Sequence, residues 1–165
     1  MPRDPGIPIC NAVASRIIKG SAQPRGHMRY WLLKSEPATW SWQDQVAAGT
    51  DCWDGVRNHQ AANNLKAMEP GDRAFFYHSQ KGKEIVGIVE VARSYYPDPS
   101  DASGRFGMVD VTALKPMTRP VSLQTIKDDP ILAEMALVRQ SRLSVMPVTQ
   151  DQWRRICGLG ETDPD

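Results

Sequence analysis

Only three of the 165 residues are cysteine, at positions 10, 52 and 157, an odd number at wide spacing from which neither a disulfide framework nor a CxxC metal knuckle can be drawn. A reducing compartment is the expectation. Charge of one sign is also scarce: 20 basic residues against 19 acidic ones leave a formal charge of +1, so the molecule as a whole exerts no long-range pull on a polyanion. Any contact with nucleic acid then has to rest on a local basic surface and a specific pocket. No apolar run approaches the roughly 20 residues that cross a bilayer, and the stretch around Ile85 to Val91 is among the longest. The N-terminus lacks the basic segment, apolar stretch and cleavage site of a secretory signal. From these absences no membrane partner is expected, and the expected location is the cytoplasm, or the nucleus of a eukaryote. Metal-ligand spacings and glycine-rich phosphate loops are missing as well, so neither metal nor cofactor is expected.

What is present is ordinary globular composition, with 41% apolar and 24% charged residues, enough for one self-sufficient domain. Residues 1–27 carry prolines and glycines with a single short apolar patch, Ile17-Ile18, and read as a flexible leader. The domain is expected over residues 28–160, with 161–165 as a tail. Within it, short strands and short helices alternate without the strand-helix units of about thirty residues that build a doubly wound parallel sheet. The fold class is therefore α+β, a small curled sheet or barrel of about five strands with peripheral helices.

Local signals place the elements. Strands are expected at Tyr30 to Leu33, Ala74 to His78, Ile85 to Val91, Met108 to Leu114 and Leu143 to Val148. Ser41 caps a helix to about Ala48, stopped by Gly49, and Asn58 caps another through Leu65 to Met68. Tyr95 to Arg105 reads as a loop. Pro130 suits the first turn of a helix burying Ile131, Met135 and Val138, and Thr149 opens a closing helix with Trp153 and Ile156 that ends at Gly158.

Four segments concentrate polar and aromatic chemistry. Lys34-Ser35-Glu36-Pro37 stands where an apolar strand ends, since Pro37 forces extended backbone before it; a plain strand-to-loop transition would look the same. Cys52-Trp53-Asp54-Gly55-Val56-Arg57-Asn58 sets an indole beside a glycine turn and a helix start, which suits a planar base or an anion, or else a core tryptophan followed by a capping asparagine. In Phe75-Phe76-Tyr77-His78-Ser79, strand alternation sends Phe75 and Tyr77 to one face and Phe76 and His78 to the other. Arg139-Gln140-Ser141-Arg142-Leu143-Ser144 is basic and hydroxyl-rich, fit for phosphate or for a solvated helix end.

Taken in order, YWLLKSEP, CWDGVRNHQAANNL, AFFYHS with IVGIVEV, YYPD, MVDV and RQSRLSVMPVT resemble the EVE domain family, from about Tyr30 to Ile156. The resemblance implies a PUA-like mixed β-barrel with short peripheral helices, and kinship with YTH domains, which hold a methylated adenine in an aromatic cage. It also implies a pocket for a modified base, with modified cytosine as the substrate most often suggested. Lys34, Ser35, Trp53 and Ser79 match positions of the YTH site; Asn58, His78, Arg142 and Ser144 match EVE motifs; Phe106 stands where many members carry tryptophan. Arg57 and Arg142 are assigned to phosphate. The function expected is a monomeric, non-enzymatic reader of nucleic acid carrying a modified base, DNA or RNA. Two alternatives stay open: an enzyme on a nucleotide or metabolite, with His78 as base and Cys52 or Ser79 as nucleophile, and a protein-binding adaptor.

Overall fold

A computed structural model describes residues 28–165; the leader expected over residues 1–27 lies outside the described residues. Strands β1 (Tyr30–Ser35), β2 (Thr50–Trp53), β3 (Arg73–His78), β4 (Glu84–Pro97), β5 (Gly107–Ser122) and β6 (Val145–Val148) form one six-stranded sheet in the order β2-β5-β4-β3-β1-β6. The β1/β3 pair is parallel and the other pairs are antiparallel. Helices α1 (Trp42–Ala48), α2 (His59–Ala67), α3 (Leu123–Asp128), α4 (Ala136–Arg139) and α5 (Gln150–Leu159), with a 3-10 turn at Leu132–Glu134, surround it. This is the α+β architecture that the alternating short elements called for. The sheet is strongly curled: Trp53 on β2 meets Phe76 on β3, with ring centroids 5.5 Å apart, although β5 and β4 lie between those strands in the sheet order.

The caps act where the sequence puts them. Ser41 accepts from the Asp44 amide while the Asp44 carboxylate accepts from the Ser41 amide, closing a capping box on α1. Asn58 accepts from the Ala61 amide at the start of α2, and Thr149 with Gln152 closes a second box on α5. Alternation along β3 gives the core two layers. Phe75 stacks on Trp153 of α5 at 3.9 Å, and Phe76 points the other way, into the concave side that holds Trp42 and Trp53.

Several expected boundaries change. Tyr95 to Pro97 belongs to β4 rather than to a loop, because Tyr96 pairs with Met108 and its hydroxyl donates to buried Asp110. β5 continues past Leu114 to Ser122 through Pro116 and Pro120, with register shifts that bend the ribbon. β2 and α3 add elements that the apolar pattern did not announce. After Pro130 there is no continuous helix: Asp129 accepts from the Ile131 and Leu132 amides, a 3-10 turn follows, Ile131 is exposed, and Met135 alone of the three expected residues is fully buried. β6 begins at Val145 instead of Leu143, and α5 passes through Gly158 to a cap at Gly160. The last residues lie against the sheet, with the Thr118 amide donating to Thr162 Oγ1 and the Trp153 indole N–H to the Pro164 carbonyl.

Candidate nucleic-acid site

The C-terminal ends of the parallel strands β1 and β3 lie side by side, which sets Ser35 opposite His78, and the Ser79 amide donates to the Ser35 carbonyl at 2.9 Å. On the other flank of β1 the Lys34 amide donates to the Ser144 carbonyl at 2.9 Å and the Lys34 ammonium to the Ser141 carbonyl at 2.8 Å. One end of the sheet thus gathers Lys34, Ser35, His78, Ser79 and Ser144. The ammonium of Lys34 is half-buried, and desolvation lowers its pKa.

The chain between β1 and α1 is strapped across this end. The Ser35 hydroxyl donates to the Trp40 carbonyl, and the Trp42 amide donates to His78 Nε2 at 3.0 Å. A nitrogen that accepts a hydrogen bond carries no proton, so His78 is neutral here with its hydrogen on Nδ1. Burial pushes its pKa below the ordinary imidazole value, and Glu84 pulls weakly the other way. Beneath the strap lies an aromatic trio. Trp42 and Trp53 each set an edge against Phe76, at 5.4 and 5.5 Å, and the His78 ring stands 5.7 Å from Phe76. Trp53 is 6% exposed and Trp42 7%. Trp42 packs on Gly87 of β4 so closely that a Cβ there would lie 2.5 Å from the indole.

Asn58 lines a cleft of about 320 Å³ together with Gln60, Arg139, Arg142 and Leu143 among others. Its side-chain oxygen caps α2, which leaves its NH2 as a donor, and the first amides of that nine-residue helix open nearby. Arg139 pairs with Glu134, whereas among the described residues no carboxylate pairs with Arg142.

Arg57 and Phe106 form a third group. The Arg57 guanidinium reaches Asp98 at 3.1 Å and the Ser100 hydroxyl at 2.9 Å, and Asp98 also accepts from the Gly55 amide. Burial raises the pKa of Asp98, but the bonds from Ser100, Gly55 and Arg57 outweigh it and hold the carboxyl below its ordinary value. Those donors brace the turn that follows Trp53. Phe106 lies over His59 at 5.0 Å, with the Arg57 guanidinium 5.8 Å from its ring. Sequence reasoning passed over Trp42, Phe76 as a wall, and Asp98; the Trp40-Ser41-Trp42 run at a helix cap was the available signal for the first. Among the described residues no group of His, Cys, Asp or Glu could hold a metal ion, and no helix is long and apolar enough to cross a membrane.

Comparison with known proteins adds a lineage. The sequence profile of the EVE domain matches residues 29–159. Mouse thymocyte nuclear protein 1 is 37% identical over 169 residues, covering 82% of this chain and 75% of the relative. A Rhodopseudomonas palustris protein solved by NMR superposes with a TM-score of 0.77 at 55% identity, over 81% of this chain and 94% of that one. Human THYN1 in complex with 5-methylcytosine containing DNA superposes with a TM-score of 0.74 at 34% identity, over 82% of this chain and 99% of that one.

Proposed function

The chain belongs to the EVE domain family, and from that premise we propose that it binds nucleic acid carrying a modified base, with 5-methylcytosine in DNA as the leading ligand. The observation that carries this reading is the convergence, at one end of the sheet, of two tryptophans on Phe76 with the polar groups of Ser35, His78 and Ser79, beside a cleft bearing Arg142. The human relative captured with methylated DNA supports it. A base lifted from its stack costs a few kcal/mol, and stacking on one aromatic ring returns about 1–3 kcal/mol, so discrimination has to come from shape and edge hydrogen bonds. Trp53, expected as an open-faced wall, is 6% exposed and packed on Phe76, so it shapes the aromatic floor of the site from within the core. Ser79 reads the base edge, with the Ser35 oxygen left as an acceptor, and Arg142 with the α2 amides and Asn58 takes a flanking phosphate.

The catalytic alternative has less support. A neutral imidazole has one basic nitrogen, and His78 has committed it to the Trp42 amide, while the candidate nucleophile Cys52 is buried at 4% exposure. The deciding experiment measures binding to oligonucleotides identical except for one methyl group on one cytosine, as DNA and as RNA. Tighter binding to the methylated DNA is expected, and equal affinity for all strands would refute base reading. Trp53→Phe, which keeps most of the packing, is expected to weaken the methyl preference without unfolding the protein.

A further inference from the structure

We propose that His78 is a positioning residue of this site, whose neutral imidazole holds the first amide of α1 and with it the Trp42 wall, and which releases that wall when it is protonated. The proposal rests on the base-reading function above and adds its regulation by pH. Three observations carry it. The Trp42 N–H to His78 Nε2 bond joins residues 36 apart in the chain and is the side-chain tie between the end of β3 and the start of α1. That tie holds the Trp42 backbone while its ring packs into the room left by Gly87, where a Cβ would intrude, and Gln45 anchors the rest of α1 to the Val111 carbonyl. Phe76, edge-on to Trp42, Trp53 and His78 alike, makes the three rings one packed unit, so a shift of Trp42 is felt at Trp53.

Protonation places a second N–H where the Trp42 amide needs an acceptor. Two donors then face each other, and the tie becomes a repulsion. The charged group bearing on the ring is Glu84 of β4, the register partner of His78, which favours the imidazolium but less than burial disfavours it. The native ring therefore gains its proton only below the ordinary imidazole value. The other carboxylates near the strap are Glu36, whose backbone carbonyl accepts from the Thr39 and Trp40 amides, and Asp44, which is held in the capping box with Ser41, while Ser35 and Trp40 are joined through a hydroxyl and a carbonyl.

The test measures affinity for a methylated DNA oligonucleotide from pH 7.5 to 5.0, beside its unmethylated twin. A lost buried hydrogen bond corresponds to roughly a tenfold change, so the wild-type protein is expected to lose about tenfold for the methylated strand and little for the twin. His78→Gln keeps an acceptor that does not titrate, and its affinity is expected to vary little with pH. In the ligand-free protein, NMR is expected to show the Trp42 backbone amide shifting with the same midpoint as the His78 ring. A pH-independent methyl preference, the same slope in His78→Gln, or a Trp42 amide that ignores the His78 titration would overturn the proposal. If no strand shows a methyl preference at any pH, base reading itself fails, and the amide titration still decides whether the tie exists.

Discussion

Replacing Gly87 by alanine perturbs the candidate site through a single methyl group. Gly87 lies on β4 opposite Phe76 of β3, where the ladder is irregular, and a Cβ there would fall 2.5 to 2.6 Å from three ring carbons of Trp42. Carbon atoms rest at about 3.5–4.0 Å, so the indole has to withdraw by roughly 1 Å. It is poorly placed to do so. The Trp42 amide is held by His78, and α1 is tied to the sheet through Gln45, whose side chain donates to the carbonyls of Gly49 and Val111. Overpacking of this kind costs about 1–3 kcal/mol, and the lower entropy of an unfolded alanine gives back about 0.4–1 kcal/mol. A net loss near 1 kcal/mol is expected, which for a domain of this size lowers Tm by about 4 °C. Thermal melts with near-UV circular dichroism check both stability and the tryptophan environment. Trp42→Phe in the same protein removes the clashing ring and is expected to recover part of the loss. An unchanged Tm with an unchanged tryptophan signal would show that Trp42 does not rest on Gly87.

Trp53→Ala is expected to cost about 3–5 kcal/mol of stability, because the indole is buried against Phe76; a stable variant in denaturant titration would place Trp53 outside the core. Arg142→Ala is expected to weaken methylated and unmethylated strands alike and to flatten the salt dependence of binding, and an unchanged salt slope would remove Arg142 from the phosphate contact. Asp110 is wholly buried, accepts from the Tyr96 hydroxyl, and has no hydrogen-bond partner for Oδ2 among the described residues. Burial raises its pKa above the ordinary carboxylate value, against the pull of Tyr96 and Arg93. The native state thus holds this proton longer than the unfolded chain does, so stability falls as pH rises from the ordinary carboxylate value to the raised one, and the loss persists above it. Asp110→Asn keeps an acceptor for Tyr96 and removes the charge; urea titration is expected to show a gain of about 1 kcal/mol at pH 7 and none at pH 3, and destabilisation at pH 7 would refute the reasoning.

The sequence by itself determined whatever depends on neighbours within a few residues. Ser41, Asn58 and Thr149 cap helices because a short polar side chain reaches an amide three residues on. Phe75 and Phe76 face opposite layers because a strand alternates. The ordered motifs were enough to show the family. Sequence pattern failed where a partner lies far along the chain: Tyr96 is in a strand because of Met108 and Asp110, and the segment after Pro130 breaks into short turns because Asp129 takes two of its amides. The site divides in the same way. Ser35 and His78 meet because β1 and β3 run parallel, a pairing that no local signal encodes. Arg57 turns to Asp98, Phe106 to His59, and His78 to the Trp42 amide through contacts that only the curled sheet brings within reach. Periodicity states which face a residue occupies; which other face meets it follows from strand order and curvature, and those are set by packing the whole core at once.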